Sequence, residues 1–273
     1  MSRSPDTSSG RAQVLGAEIS YEAAGQGQLL VLIHAGIADC RMWDEQFDAI
    51  AHHFRVIRYD LRGVGRSSMP AGAFSHHDDL KGLLKFLNLE RAHVVGLSMG
   101  GSVAIDFALT YPEMVDKLVL AAVLGPPPFS QGLRDGWSAA EAAFETEGLS
   151  EVNEIEMQMW VDGPARAPGD VDPEVRAFVA AMNIDVLRRE EESEGAPETL
   201  DPPAATRLAD IAAPTLVIVG TGDQPDVLTY CGKLATEIPN ARLELITDVA
   251  HMVNMEASDR FTELVVNFVA GKL

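Results

Sequence analysis

Short apolar runs recur along the chain, each closed by glycine or a polar turn: LLVLIHAG, FRVIRYDLRG, AHVVGLS, KLVLAAVLG, PTLVIVGTGD and ARLELITDVA. Val, Ile and Leu runs of this length fit strands buried on both faces of a parallel sheet. AEISYEAAG instead alternates apolar and polar residues, the pattern of an antiparallel edge strand. Between these runs, FDAIAHHF, HDDLKGLLKFLNL, GGSVAIDFALTYP and VLTYCGKLATEIP carry apolar residues three and four apart, which predicts helices. The alternation predicts an α/β fold with a mostly parallel central sheet flanked by helices.

The pattern breaks between about residues 126 and 210. GPPPFSQG leaves one strand, DPPAATRLADIAAP leads into the next, and the sequence between is helical in period. We therefore expect a core made of residues 14–125 and 211–273, a helical cap over residues 126–210, and a mobile polar tail over residues 1–13. The cap segment carries 19 Asp/Glu against 6 Lys/Arg, most of the net charge of −20 on the 273-residue chain. This excess reads as a solvated helical surface, or as a field that discourages anionic substrates.

A charge of −20 argues against nucleic acid and against an anionic membrane as partners. No apolar run approaches the length of a membrane-spanning helix, and MSRSPDTSSGRAQ lacks the apolar stretch of a signal peptide. The cytoplasm is the expected location. Cys40 and Cys231 have no metal-like spacing and read as free thiols in that compartment.

Gly96-Leu97-Ser98-Met99-Gly100 has the form G-x-S-x-G, after a strand pattern and before a helix pattern. A sharp strand-to-helix turn there pushes the serine side chain out, and the glycines remove the collisions such a turn creates. It also sets Ser98 beside the unpaired N–H groups of a helix N-terminus. A serine hydroxyl needs a base and an orienting carboxylate. His251, after the strand pattern ARLELITDVA, and Asp223, after PTLVIVG, leave the same sheet edge in the chain order this elbow uses. Asp226, which resembles a helix cap, and Asp248, three residues before His251, compete with Asp223. His52, His53, His76, His77 and His93 read as surface positions. His34, in IHAGIAD, reads as a brace for its loop, and the N–H groups of Gly36 and Met99 are candidate oxyanion donors.

The IHAG loop, YDLRGVGRS at 59–67, GLSMGG, GTGD and AHMVNME occur in an order that resembles the α/β-hydrolase superfamily over nearly the whole chain. HAGIADCRMWDEQ with RYDLRGVGRS is similar to the branch of small esterases and lactonases that includes 3-oxoadipate enol-lactonases, and also to the carbon–carbon bond hydrolases of aromatic degradation. The resemblance implies the α/β-hydrolase fold with a cap. It also implies Ser98 as nucleophile, His251 as base, Asp223 as orienting acid, and an oxyanion hole from Gly36 and Met99. One departure is Ala35, where the family often has Gly. The implied activity is hydrolysis of a small ester or lactone, with no organic cofactor and no metal. His76-His77-Asp78-Asp79 is adjacent rather than helix-spaced and reads as a solvated helix start. Trp137, Met157, Trp160 and Met182 are candidate pocket residues. Carbon–carbon cleavage beside a ketone, and a non-enzymatic small-molecule receptor on the same fold, remain as alternatives, and a homodimer through the cap is possible.

Overall fold

The computed structural model describes residues 7–273. The first strand, β1 (Thr7–Val14), pairs antiparallel with β2 (Ala17–Ala24). The mobile tail expected over residues 1–13 is therefore corrected: residues 1–6 lie outside the described residues, and the rest form an edge strand. Polar TSSGRAQ hid it because only Ala12 and Val14 face the core, as an outermost strand permits. Consequently β2 is not the edge strand its alternation suggested.

The other strands are β3 (Leu29–Ile33), β4 (Arg55–Tyr59), the short β5 (Gly72–Phe74), β6 (Ala92–Leu97), β7 (Val115–Ala121), the short β8 (Gly195–Pro197), β9 (Thr215–Gly220) and β10 (Ala241–Ile246). Eight of them form one sheet in the order β1-β2-β4-β3-β6-β7-β9-β10, parallel from β4 to β10. β3, β6 and β9 are buried along their whole length, as expected. β10 is not: it is the far edge, and Leu243 and Leu245 are exposed.

Helices α1 (Asp44–Ala51), α2 (His76–Phe86), α3 (Met99–Thr110) and α7 (Pro225–Glu237) stand where periodicity placed them. The C-terminal α8 (Val253–Glu256) and α9 (Ser258–Val269) were not read from the sequence. Phe261, Leu264, Val265, Phe268 and Val269 make α9 amphipathic and bury one stripe of it. No described helix is long and apolar enough to cross a membrane. Cys40 and Cys231 are buried free thiols.

Between β7 and β9 lie α4 (Gln131–Thr146), α5 (Leu149–Glu156), a π-helical turn (Met157–Asp162) and α6 (Pro173–Glu191). β8 pairs with β5 and ties this insertion to the core loop beyond β4. An exposed stretch around residues 198–203 then leads through two short 3₁₀ turns down to the start of β9. The strand order reverses at β3, whose neighbours are β4 and β6. In open α/β sheets the crevice at the carboxyl ends of the strands beside such a reversal is the place for a ligand.

Candidate active site

Ser98 ends β6 with φ 55° and ψ −116°, a conformation side chains rarely adopt. Its N–H donates to Ala121 O on β7 at 2.8 Å. The flanking glycines are required by space: a methyl group at Gly96 would lie 2.1 Å from Gly100 O, and one at Gly100 would lie 2.3 Å from Ile33 O. The elbow thus wedges the start of α3 against β3. Ser98 stays partly exposed, and Met99 opens the helix, where N–H groups have no intrahelical acceptor.

Gly36 lies beside Met99; a methyl group there would touch Met99 Cβ and Sδ at 3.7 Å. The structure therefore brings the two candidate donor residues together. Gly36 sits in a turn closed by Ala38 N–H donating to Ala35 O, and Ala35 avoids the left-handed region, so glycine is not needed at that position. His34 is fully buried. Its Nδ1 pairs with Ala35 O at 2.7 Å, while Leu61 N–H donates to Nε2 at 2.9 Å. Both nitrogens are occupied and burial pushes its pKa down, so His34 is a neutral brace.

On the same sheet edge, His251 Nδ1 donates to Asp223 Oδ2 at 2.9 Å and faces Oδ1 at 3.1 Å, with both side chains buried. Asp223 Oδ1 also accepts from Gln224 N–H at 2.7 Å, which fixes the carboxylate. Among the described residues no hydrogen bond joins Ser98 Oγ to His251. Asp226 sits in the first turn of α7, where Oδ1 accepts from Ser130 N–H at 2.7 Å and anchors the insertion's start. Asp248 is left-handed with φ 64°, and its N–H donates to Thr221 Oγ1.

The insertion reaches this pair directly. Trp160 lies against the His251 ring at 4.7 Å between centroids. Gln224 Nε2 donates to Met159 O at 2.6 Å. Arg166 forms a two-pronged ion pair with Glu256, whose Oε1 also accepts from Ala250 N–H next to the histidine. Met157 and Met182 are fully buried in the apolar core, and Trp137 packs edge-on against Phe129. Of the four candidate pocket residues, Trp160 is the one whose ring packs on the histidine. Gln224 and Glu256 were not singled out for this site, and Arg166 suggested itself only as a cation for a diacid substrate; no local pattern pairs it with Glu256, 90 positions away.

Three histidines expected at the surface are withdrawn from it: His77 and His93 are buried and His76 is half-buried. His76-His77-Asp78-Asp79 is not a solvated helix start either. Asp79 is gripped by Arg62 through two bonds of 2.8 and 2.5 Å, and Asp78 accepts from Ser75 and Tyr111. Asp39, Cys40 and Asp60 hold donor atoms within 4.8 Å of one another. Asp39 is committed to Arg41, Asp60 accepts from Cys40 N–H and Arg66 N–H, and burial drives the thiol pKa far up. That cluster is already neutralised by its own neighbours.

Residues 30–264 match the model of the Alpha/beta hydrolase family. A 2-hydroxy-6-oxononadienedioate/2-hydroxy-6-oxononatrienedioate hydrolase of Paraburkholderia phymatum is 30% identical, with 92% of this chain and 90% of the relative covered. The solved enol-lactonase from Burkholderia xenovorans LB400 superposes with a TM-score of 0.79 at 27% identity, covering 96% of this chain and all of that one. A thermophilic esterase from Thermogutta terrifontis gives a TM-score of 0.77 at 25% identity, covering 97% and 99%.

Proposed function

Since the chain belongs to the alpha/beta hydrolase family, we propose that it is a serine hydrolase of small, uncharged carboxylic esters or lactones, with Ser98, His251 and Asp223 as its reacting group. The buried His251–Asp223 hydrogen bond, on the sheet edge where the elbow presents Ser98, carries this reading. With Nδ1–H donating a hydrogen bond to Asp223, the imidazole keeps the Nε2 lone pair free to take a proton. In the first step Ser98 Oγ bonds to the carbonyl carbon while its proton passes to His251. The carbonyl oxygen becomes an oxyanion, held by the N–H groups of Gly36 and Met99. Collapse breaks the bond to the leaving oxygen, which takes the proton from His251. Water then enters by the same route in reverse and frees Ser98.

The segment 126–210 serves as a cap in this reading, with Trp160 packed on the ring of the base. A second reading, carbon–carbon cleavage of a dicarboxylate, is favoured by the name of the Paraburkholderia relative. Such a substrate calls for an unpaired cation near the site. Arg166 is paired with Glu256, and Arg176 with Asp162 and Glu154. Arg188 and Arg189 open onto a cavity of about 600 Å³ where Arg41 and Arg66 meet Glu22, Asp39, Asp60 and Asp185. The charges there balance, and neither Ser98 nor His251 lines it. This favours the uncharged ester or lactone.

The test is an intact-mass spectrum after exposure to a fluorophosphonate. One adduct on the wild type, absent from Ser98→Ala and His251→Ala, is the expected result. A folded wild type that takes no adduct would overturn the reading and put a non-enzymatic receptor first. Turnover on a panel of esters, lactones and dicarboxylate ketones then separates the two hydrolytic readings.

A further inference from the structure

We propose that Arg166 is a positioning residue that couples the seating of the insertion to the alignment of His251. The inference rests on the reacting group proposed above.

Arg166 stands just beyond the π-helical turn, with its side chain only 16% exposed. A guanidinium has five N–H bonds, and here five acceptors meet it. Nε donates to Asp162 O at 2.7 Å, and Nη2 donates to Val161 O at 2.8 Å and Glu256 Oε1 at 3.1 Å. Nη1 donates to Glu256 Oε2 at 2.6 Å and Asp248 O at 3.2 Å. Two of these acceptors belong to the insertion and three to the loop and helix that carry the base.

The acceptors on the core side are the ones that define the His251 loop. Asp248 is held in a left-handed conformation that costs stability unless its neighbours enforce it. Its carbonyl is taken by Arg166 and its N–H by Thr221. Glu256, held by the same guanidinium, accepts from the N–H of Ala250. The histidine is thus approached from the residue before it and from the strained turn upstream, both through one cation.

The other end of the linkage is equally tied down. Asp162, whose carbonyl Arg166 holds, is buried and makes two bonds to Arg176 on α6, at 2.9 and 3.0 Å; Arg176 continues to Glu154 on α5. Trp160 and Met159, in the same π-helical turn, touch His251 and the Gln224 side chain. Single turns of π-helix are frequent at functional positions. Displacing α5 or α6 therefore pulls on the loop of the base through Arg166. Misplacement of a reacting group by about 1 Å costs on the order of 100-fold in rate.

The experiment compares Arg166→Met, Arg166→Lys and Glu256→Gln with Arg207→Met, which removes an exposed ion pair of the same segment. Two readouts are taken: the rate of fluorophosphonate labelling at Ser98, and the far-downfield proton resonance of His251 Nδ1–H. Arg166→Met and Glu256→Gln are expected to slow labelling about 10- to 100-fold and to broaden or shift the resonance. Arg166→Lys keeps the charge but not the backbone contacts and falls between. Arg207→Met matches the wild type. Where Arg166→Met does not unfold cooperatively, Arg166→Lys decides. Folded Arg166 variants with wild-type labelling and an unmoved resonance would overturn the proposal. A wild type that is not labelled at Ser98 would instead count against the hydrolase reading, and the resonance alone would then decide whether Arg166 positions His251.

Discussion

At Ser98 the backbone holds a conformation that costs an ordinary residue about 1–3 kcal/mol. Its neighbours remove every obstacle to it. Gly100→Ala would place a methyl group 2.3 Å from Ile33 O, a backbone atom that has no room to yield. We expect it to lower stability by about 1–3 kcal/mol, as overpacking does, and to abolish labelling of Ser98. Gly232→Ala is the contrast: it lies inside α7 with nothing within 4 Å of the new methyl group. It is expected to raise stability by about 0.5–1 kcal/mol. Urea unfolding of both variants checks the pair. At this scale the candidate residues could be picked out, because Ser98, Asp223 and His251 each sit where a strand pattern ends and a turn begins. The pairing of Arg166 with Glu256 could not, since it comes only from a contact across the fold.

Elements were legible where their burial was two-sided. β3, β6 and β9 announced themselves as apolar runs, whereas β1 needs only alternate core contacts and reads as polar. The start of α2 misled for a related reason: its histidines and aspartates look solvated, yet the helix packs them inward. His76 rests edge-on against Phe74, with ring centroids 5.0 Å apart. Burial first, then His34, Arg62 and His77, brings its pKa down to about 4. His34 and His93 shift the same way through burial. The unfolded chain therefore binds more protons than the folded one between about pH 6.5 and 4. The His76 contribution is complete above the free histidine value and falls as pH drops through that window, by up to about 1.4 kcal/mol per pH unit. His76→Gln should flatten the dependence of the urea midpoint on pH by one histidine's share. An unchanged slope would show that His76 titrates alike in both states.

Over the whole molecule, charge is unevenly distributed. The segment 126–210 carries a net −13 of the total −20, and it touches His251 through Trp160. Screening shortens the reach of that field from about 30 Å at 0.01 M salt to about 8 Å at 0.15 M. For matched anionic and neutral esters, kcat/KM of the anionic one should rise several-fold across this range while the neutral one stays level. Parallel behaviour of the two would show that the insertion's charge faces away from the approach. The long exposed stretch around residues 198–203 has a different consequence. Ser98 precedes it, and Asp223 and His251 follow it. A chain opened there would carry the proposed nucleophile on one polypeptide and its base and acid on the other. Each piece would be inert by itself, and reactivity would report only that the two had met.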